Sequence, residues 1–415
     1  VRARRWALCG AMLLATGCVT HRGPWRVEHE TASAPAPDGV ELVLLANIAP
    51  EDRGARAVAD RVERALTDER PRIVLWLGNV LAAPMPSATP LAQRRGPRCL
   101  DDEPWAAPAA STLARAVGTS PSFAVGGALD HRCGARLGLE PTANHGAPWR
   151  VPAPHYVLRV HADGSVHERI TCRDGGCTFA ETKGSPPSSR ALVDLVVVDL
   201  SPWLHPSDDP KLRTSDELQV QALDALLTAV AGVPPEGAPP RLLVSNVPVE
   251  AGGEHGLGAL WPEATFHALP HQLQRLLVDG HFAGVLSGHD RSLQATDDLS
   301  DAIKRADRAW LTAPVFQVVA GAVSKPNRRP AMALRPRRVR HSQAYVPPVW
   351  SDHPGFATVR LSHERAEVVL HARRGRHWER ASMVVPLRPP PHPARTPSPH
   401  MAPCRDCPPI PASER

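Results

Sequence analysis

Beyond its first eighteen residues the sequence has no stretch approaching 18 uncharged apolar residues, so no later segment is suited to span a bilayer as a helix. It has no glycine-rich phosphate loop of either common type, which removes the usual signature of nucleotide binding. No G-x-S-x-G turn follows any strand pattern, so an exposed serine nucleophile on an elbow is not indicated. No internal repeat is present. A concentrated basic face is missing too: net charge is +6, and Arg2, Arg4 and Arg5 at the N-terminus supply half of it. Dedicated nucleic-acid binding is therefore not expected. One local cluster, Arg328, Arg329, Arg335, Arg337, Arg338 and Arg340, reads either as a solvated loop or as a contact for anionic lipid or polysaccharide.

What the sequence does have begins with an export pattern. Arg2, Arg4 and Arg5 precede the uncharged run Trp6–Ala15, too short for a permanent span and suited to a signal-peptide core. Ala15-Thr16-Gly17-Cys18 follows and resembles a lipobox, in which cleavage before the cysteine leaves it acylated; Ala15 stands where leucine is commoner. An ordinary cleaved signal or a buried N-terminal helix are the other readings. The expectation is a signal peptide over 1–17, lipidation at Cys18, and residence at a bacterial cell envelope, facing the periplasm or the outer membrane.

Removing Cys9 and Cys18 leaves Cys99, Cys133, Cys172, Cys177, Cys404 and Cys407, an even number that suits disulfides in an oxidising compartment. Neighbour pairing is preferred: Cys172 with Cys177, Cys404 with Cys407, and Cys99 with Cys133. A zinc site at Cys404-x-x-Cys407 lacks a second ligand pair.

Of the 415 residues, 46 are proline, concentrated in connections and at both ends. Residues 18–38 read as the lipidated cysteine with a flexible linker, and 388–415 as a proline-rich tail unable to form helix or central strand. Between them, 39–387 alternates. Strands are expected at Val40–Leu45, Ile73–Leu77, Ser122–Val125, Leu192–Leu200, Leu242–Ser245, Phe282–Leu286 and Phe316–Val319. Helices are expected at Glu51–Arg70, Ser215–Ala231 and Phe266–Val278. Hairpins are expected at Tyr156–Thr171, turning at Asp163-Gly164 within an insertion of about 150–180, and at Phe356–Ala372. Such alternation implies an α/β layered fold, with function at the carboxyl ends of strands.

Those ends read Leu45-Ala46-Asn47, Gly78-Asn79, Gly126-Gly127-Ala128-Leu129-Asp130-His131, Ser245-Asn246-Val247-Pro248 and Ser287-Gly288-His289-Asp290-Arg291, with Gly253-Glu254-His255-Gly256 between the last two. In order and spacing they resemble the motifs of the calcineurin-like metallophosphoesterases, in the tartrate-resistant (purple) acid phosphatase branch. Gly253–Gly256 matches the EHG element, and Ser287–Asp290 with Leu293-Gln294 the closing GHDH and LQ. Phe316–Ala322 and the hairpin opened by Pro354-Gly355-Phe356 fall where the family has a small-residue strand and a terminal hairpin. The resemblance implies a two-sheet β-sandwich flanked by helices, two divalent metal ions, and phosphoester hydrolysis by clamping the attacking and leaving oxygens.

Position by position, the resemblance places the first-motif aspartate on Asn47 and the bridging aspartate on Asn79. The third-motif asparagine falls on Gly127, its catalytic histidine on Ala128 and the next aspartate on Leu129. The H-x-P histidine falls on Asn246. His289 keeps its identity, and Arg291 stands where the second histidine belongs. Neutral amides cannot offset the repulsion of two bridged cations, and arginine is always charged. The expectation is a non-catalytic domain that has lost its metals, with no cofactor, and with His289, Asp290, Arg291 and His255 as a remnant cleft. Expected partners are a membrane through the lipid, and an envelope protein or anionic ligand. The alternatives are an active phosphoesterase with a reduced metal site using His289, Asp290, Asp130 and His131, and an unrelated envelope structural protein.

Overall fold

A computed structural model describes residues 39–48, 53–65, 70–79, 82–83, 98–99, 108–127, 130, 149–180, 189–206, 210–232, 237–252, 265–307, 311–321, 323 and 349–388. Two sheets face each other, with helices on both outer surfaces.

The smaller sheet starts from β1 (Val40–Leu45), which runs parallel to β2 (Arg72–Leu77) and, through it, to β5 (Ser122–Val125). All six residues of β1 are buried, because both faces of the strand are covered. Leu42 and Leu44 face the second sheet, whereas Val43 and Leu45 face the helices. Helix α1 (Arg53–Ala65) crosses between β1 and β2. Its Ala55, Val58, Ala59 and Val62 form one apolar stripe, the period that a helix on a sheet requires. Leu113 and Val117 of α2 (Pro108–Val117) extend this layer. A separate two-residue ladder joins β3 (Ala82–Ala83) to β4 (Arg98–Cys99). On the other side of β1 a meander of β15 (Gly355–Leu361), β16 (Arg365–Arg374) and β17 (His377–Pro386) completes the order β17-β16-β15-β1-β2-β5.

The larger sheet has nine strands. Its centre is parallel: β9 (Ala191–Val198), β10 (Arg241–Ser245), β11 (Gly284–Ser287) and β13 (Phe316–Ala320). Antiparallel β12 (Leu293–Thr296) and β14 (Val349–Ser351) close one side. The other side is β6 (His155–His161), β7 (Val166–Arg173) and β8 (Gly176–Phe179). After β9 comes the single turn α3 (Ser201–Leu204). Three further helices, α4 (Pro210–Val230), α5 (His271–Val278) and α6 (Ser300–Asp307), cover the outer face through Leu223, Leu226, Leu227, Leu273, Leu277 and Ile303. Between the sheets lies the apolar layer of Leu44, Leu75, Phe123, Val197, Val244, Leu286 and Val318. Among the described residues no helix is long and apolar enough to cross a membrane.

The expected two-sheet sandwich flanked by helices is the architecture observed, and the expected strands match to within about two residues at each end. One helix differs. Phe266–Val278 is not continuous: a 3-10 turn at Phe266–Ala268 precedes α5, which starts after Pro270. Proline has no N–H to donate and forces the preceding residue out of the helical region; Leu269 is extended, with φ −72° and ψ 155°. The hairpin over Tyr156–Thr171 lies in the plane of the larger sheet as β6 and β7, and Arg159 of β6 forks onto Asp194 of β9 at 2.8 Å through both nitrogens. Its turn is set by Gly164 at φ 81° and by Ser165, whose N–H and hydroxyl both donate to the Asp163 carboxylate and hold its pKa down at about 2.

Cys172 and Cys177 are bonded across β7 and β8, as the pairing by neighbours anticipates. Cys172 is fully buried beneath the α4 layer. Cys99 is placed only as backbone in β4, and Cys18, Cys133, Cys404 and Cys407 lie outside the described residues. The crosslink closes a short loop, so it restricts the unfolded chain modestly. Replacing Cys177 with serine is expected to lower unfolding free energy by about 2 kcal/mol. Denaturation with and without reductant checks this, since reductant should weaken the wild type toward the variant.

Candidate functional site

The parallel strands of both sheets end on one side, and several of their terminal residues leave the strand by a left-handed kink. Asn47 follows β1 at φ 52°, Asn79 follows β2 at φ 52°, and His289 follows β11 at φ 61°. Asparagine and histidine are among the few non-glycine residues that enter this region readily. Packing brings the ends of the two sheets into contact. A Cβ on Gly288 would strike the Leu77 carbonyl and lie 2.9 Å from the Ala46 Cβ, and one on Gly78 would lie 3.1 Å from the Asn246 Cβ. The structure thus gathers Asn47, Asn79, Gly127, Asn246 and His289 at one place, five of the six positions that the sequence resemblance aligns with metal ligands.

The amides there are bonded to protein. Asn47 Nδ2 donates to the Gly321 carbonyl at 3.0 Å, and Asn79 Nδ2 donates to Asn47 Oδ1 at 2.9 Å. Asn246 Oδ1 accepts the Leu200 N–H at 2.9 Å while its Nδ2 donates to Ser201 Oγ at 2.7 Å. Both ends of Asn47 and Asn246 are used in this way. Gly127 offers no side chain, and a Cβ there would collide with the Asn79 backbone nitrogen and sit 2.5 Å from its Oδ1. Its N–H donates to the buried Asp130 carboxylate at 3.0 Å. His289 is buried. Arg291 is half-buried and forms no hydrogen bond or ion pair with the described residues. His255, Ala128, Leu129 and His131 lie outside the described residues.

Asp290 is turned into a structural network. Its Oδ2 accepts Gln294 Nε2 at 2.6 Å, and Gln294 Oε1 accepts the Gly252 N–H at 2.9 Å. Gln317 acts similarly one strand away, its Oε1 accepting the Val249 N–H at 2.8 Å and its Nε2 donating to the Glu250 carbonyl at 2.6 Å. The two glutamines fix the segment after β10, satisfying backbone groups that would otherwise be buried unpaired.

Three residues at the site were not singled out from the sequence: Asp199, Ser201 and Gly321. Asp199 ends the strongest apolar run, Leu192–Leu200, and a carboxyl at the end of a buried strand was the available signal. Its Oδ1 accepts the Ser201 N–H at 2.8 Å, and its own N–H donates to His155 Nδ1 at 3.2 Å. That second bond makes Nδ1 the acceptor, so His155 Nε2 carries the proton to the Gln219 carbonyl at 2.9 Å. Burial pushes His155 down to about 4, consistent with a neutral ring. Burial pushes Asp199 up to about 7; the Ser201 hydrogen bonds oppose the rise, and the Asp130 and Asp216 carboxylates add to it.

A dinuclear metal centre needs anionic oxygen and neutral nitrogen donors around each ion. The donor set here does not fit one. Three neutral amides, a glycine, one imidazole and an arginine replace it, and the Asn47 oxygen already accepts a hydrogen bond. Among the described residues no group of three or more His, Cys, Asp or Glu side chains is placed to hold a metal ion.

No family model matches the sequence, and no curated protein matches it. Solved structures do. GAP50, described as the anchor in the inner membrane complex of Plasmodium, superposes with a TM-score of 0.50 at 14% identity, over 82% of this chain and 88% of that one. The purple acid phosphatase PPD1 from yellow lupin (Lupinus luteus) superposes at 0.44 and 9% identity, over 84% and 54%. PhoD superposes at 0.46 and 9% identity, over 86% and 72%. Identity this low speaks for a shared fold alone.

The raised Asp199 pKa carries a pH dependence with a defined sign. An acid whose folded pKa exceeds its unfolded value stabilises the folded state only while protonated. Its contribution is therefore complete below the ordinary 3.8 and lost as pH climbs to about 7. Asp199→Asn should flatten this loss. Urea denaturation at about pH 4 and about pH 8 checks it: the variant should gain on the wild type only at the higher pH.

Proposed function

We propose that this chain is an exported lipoprotein whose calcineurin-like phosphoesterase domain is degenerate and non-catalytic, serving binding or scaffolding at a bacterial cell envelope. The observation that carries the reading is the use of the ligand-equivalent amides, Asn47, Asn79 and Asn246, in hydrogen bonds to protein. The oxygens of Asn47 and Asn246 already accept hydrogen bonds, none of the three amides carries the negative charge that two bridged cations need, and Arg291 adds a fixed positive charge nearby in the chain. The motif order from Asn47 to Arg291 and the two-sheet sandwich support membership of that superfamily.

The envelope address rests on the Arg2–Cys18 pattern. The Cys172–Cys177 disulfide suits an oxidising compartment. GAP50, a chain of like fold, is described as the anchor in the inner membrane complex of Plasmodium, which supports an anchoring use of this architecture. Partners under this reading are the membrane, through lipid on Cys18, and an envelope protein or an anionic ligand, with no resident cofactor.

Two measurements test the reading. The purified full chain, incubated with manganese, zinc or iron and then desalted, should retain far less than one ion per chain and should not hydrolyse a generic aryl phosphate. Stoichiometric metal with turnover that disappears in His289→Ala would instead establish the reduced-site phosphoesterase. For the anchor, Cys18→Ser should move the protein from the membrane fraction to the soluble one; an unchanged distribution contradicts lipidation.

A further inference from the structure

We propose that Asn79, Asn47 and the Gly321 carbonyl form a side-chain relay that fastens the two sheets together at their strand ends, and that position 127 must be glycine to leave room for the backbone and side chain of Asn79. The proposal deepens the non-catalytic reading and rests on it only in saying that protein atoms alone make this connection.

The apolar layer of Leu44, Leu75, Val244 and Leu286 joins the sheets along their middle. At the strand ends the chain turns away and polar backbone groups emerge. There, Asn47 of the smaller sheet donates to Gly321 of the larger sheet, 274 residues away in sequence. The neighbouring Val323 N–H donates to the Ala46 carbonyl at 3.1 Å, tying the same two strand ends by backbone. Asn79 supports Asn47 from the side. Its Nδ2 holds Asn47 Oδ1, and its carbonyl accepts the Ile48 N–H at 3.2 Å.

The order of donors follows from the one member that cannot change roles. A backbone carbonyl only accepts, so Asn47 must present Nδ2 to Gly321 and Oδ1 to Asn79. Gly321 itself is fixed, at φ 71° with a Cβ that would lie 2.8 Å from the Leu293 nitrogen. A carboxylate at 47 would set an anionic oxygen against that carbonyl oxygen. A side chain at 127 would displace Asn79, whose backbone nitrogen and Oδ1 fill the space. Positions 47, 79 and 127 therefore form one co-adapted packing unit, and no single return to a metal-ligand residue is compatible with the other two.

Hydrogen exchange on the full chain in EDTA, for wild type, Asn47→Ala, Asn79→Ala, the double variant and Gly127→Ala, tests this. Loss of the relay should speed exchange at the Val323 and Ile48 amides on the order of tenfold, with mid-sheet Leu243 and Val285 unchanged. The double variant should exchange no faster than Asn47→Ala, because Asn79 acts through Asn47. If Asn47→Ala fails to fold, Asn47→Asp decides: its protection at Val323 should be lost at about pH 7 and recovered at about pH 3, below the ordinary aspartate pKa of about 3.9, where the acid is protonated and can donate. Unchanged protection at Val323 in every variant, or acceleration spread evenly over both sheets, overturns the relay. Metal retained by the wild type would sink the non-catalytic reading but leave these exchange rates as the separate test of the fastener.

Discussion

Asn47 sits where the leading strand of one sheet comes within reach of the last parallel strand of the other, and the bond it makes to Gly321 is the constraint around which the strand-end region is arranged. Two sheets packed through aliphatic side chains have no inherent registry where their strands run out. The hydrophobic term is non-directional, so it presses the layers together without fixing how their ends meet. A directional bond between side-chain amide and backbone carbonyl supplies the missing specification. Asn79 orients that amide, Gly127 makes room for Asn79, and the kinks at Asn47, Asn79 and His289 aim the chain ends toward one another.

The surrounding walls are polar and tied together by hydrogen bonds. Gln294 and Gln317 bind the segment after β10. Asn246, Ser201, Asp199 and His155 link the ends of β9 and β10 to α4 in a chain of hydrogen bonds. Buried polar networks of this kind stabilise only when their members are paired. Side chains committed to one another present few donors for an ion or a reacting phosphate.

Much of the fold was legible because burial leaves strong marks. Val40–Leu45 and Leu192–Leu200 are continuous apolar runs, as strands covered on both faces must be, and Ala55, Val58, Ala59 and Val62 keep a helical period. β17 was missed because its sequence, HWERASMVVP, mixes charged and apolar residues; as an edge strand it is buried only in part. β12 was missed because four residues carry no period. Pro270 broke a helix whose apolar stripe runs straight through it. At the site, strand ends identified Asn47, Asn79, Asn246 and His289. Their bonding was not legible, since it depends on a Gly321 carbonyl that no side-chain pattern advertises. Asp199 was overlooked as the polar end of an apolar strand.

The central claim is that amides bonded to protein, rather than bridged ions, hold the strand-end cleft. Anomalous diffraction from crystals of the protein soaked in manganese addresses it most directly. The account predicts no anomalous density among Asn47, Asn79, Asn246 and His289, with Asn79 Nδ2 still about 2.9 Å from Asn47 Oδ1. An anomalous peak lying between Asn47 and Asn79, with their mutual hydrogen bond broken, would contradict it.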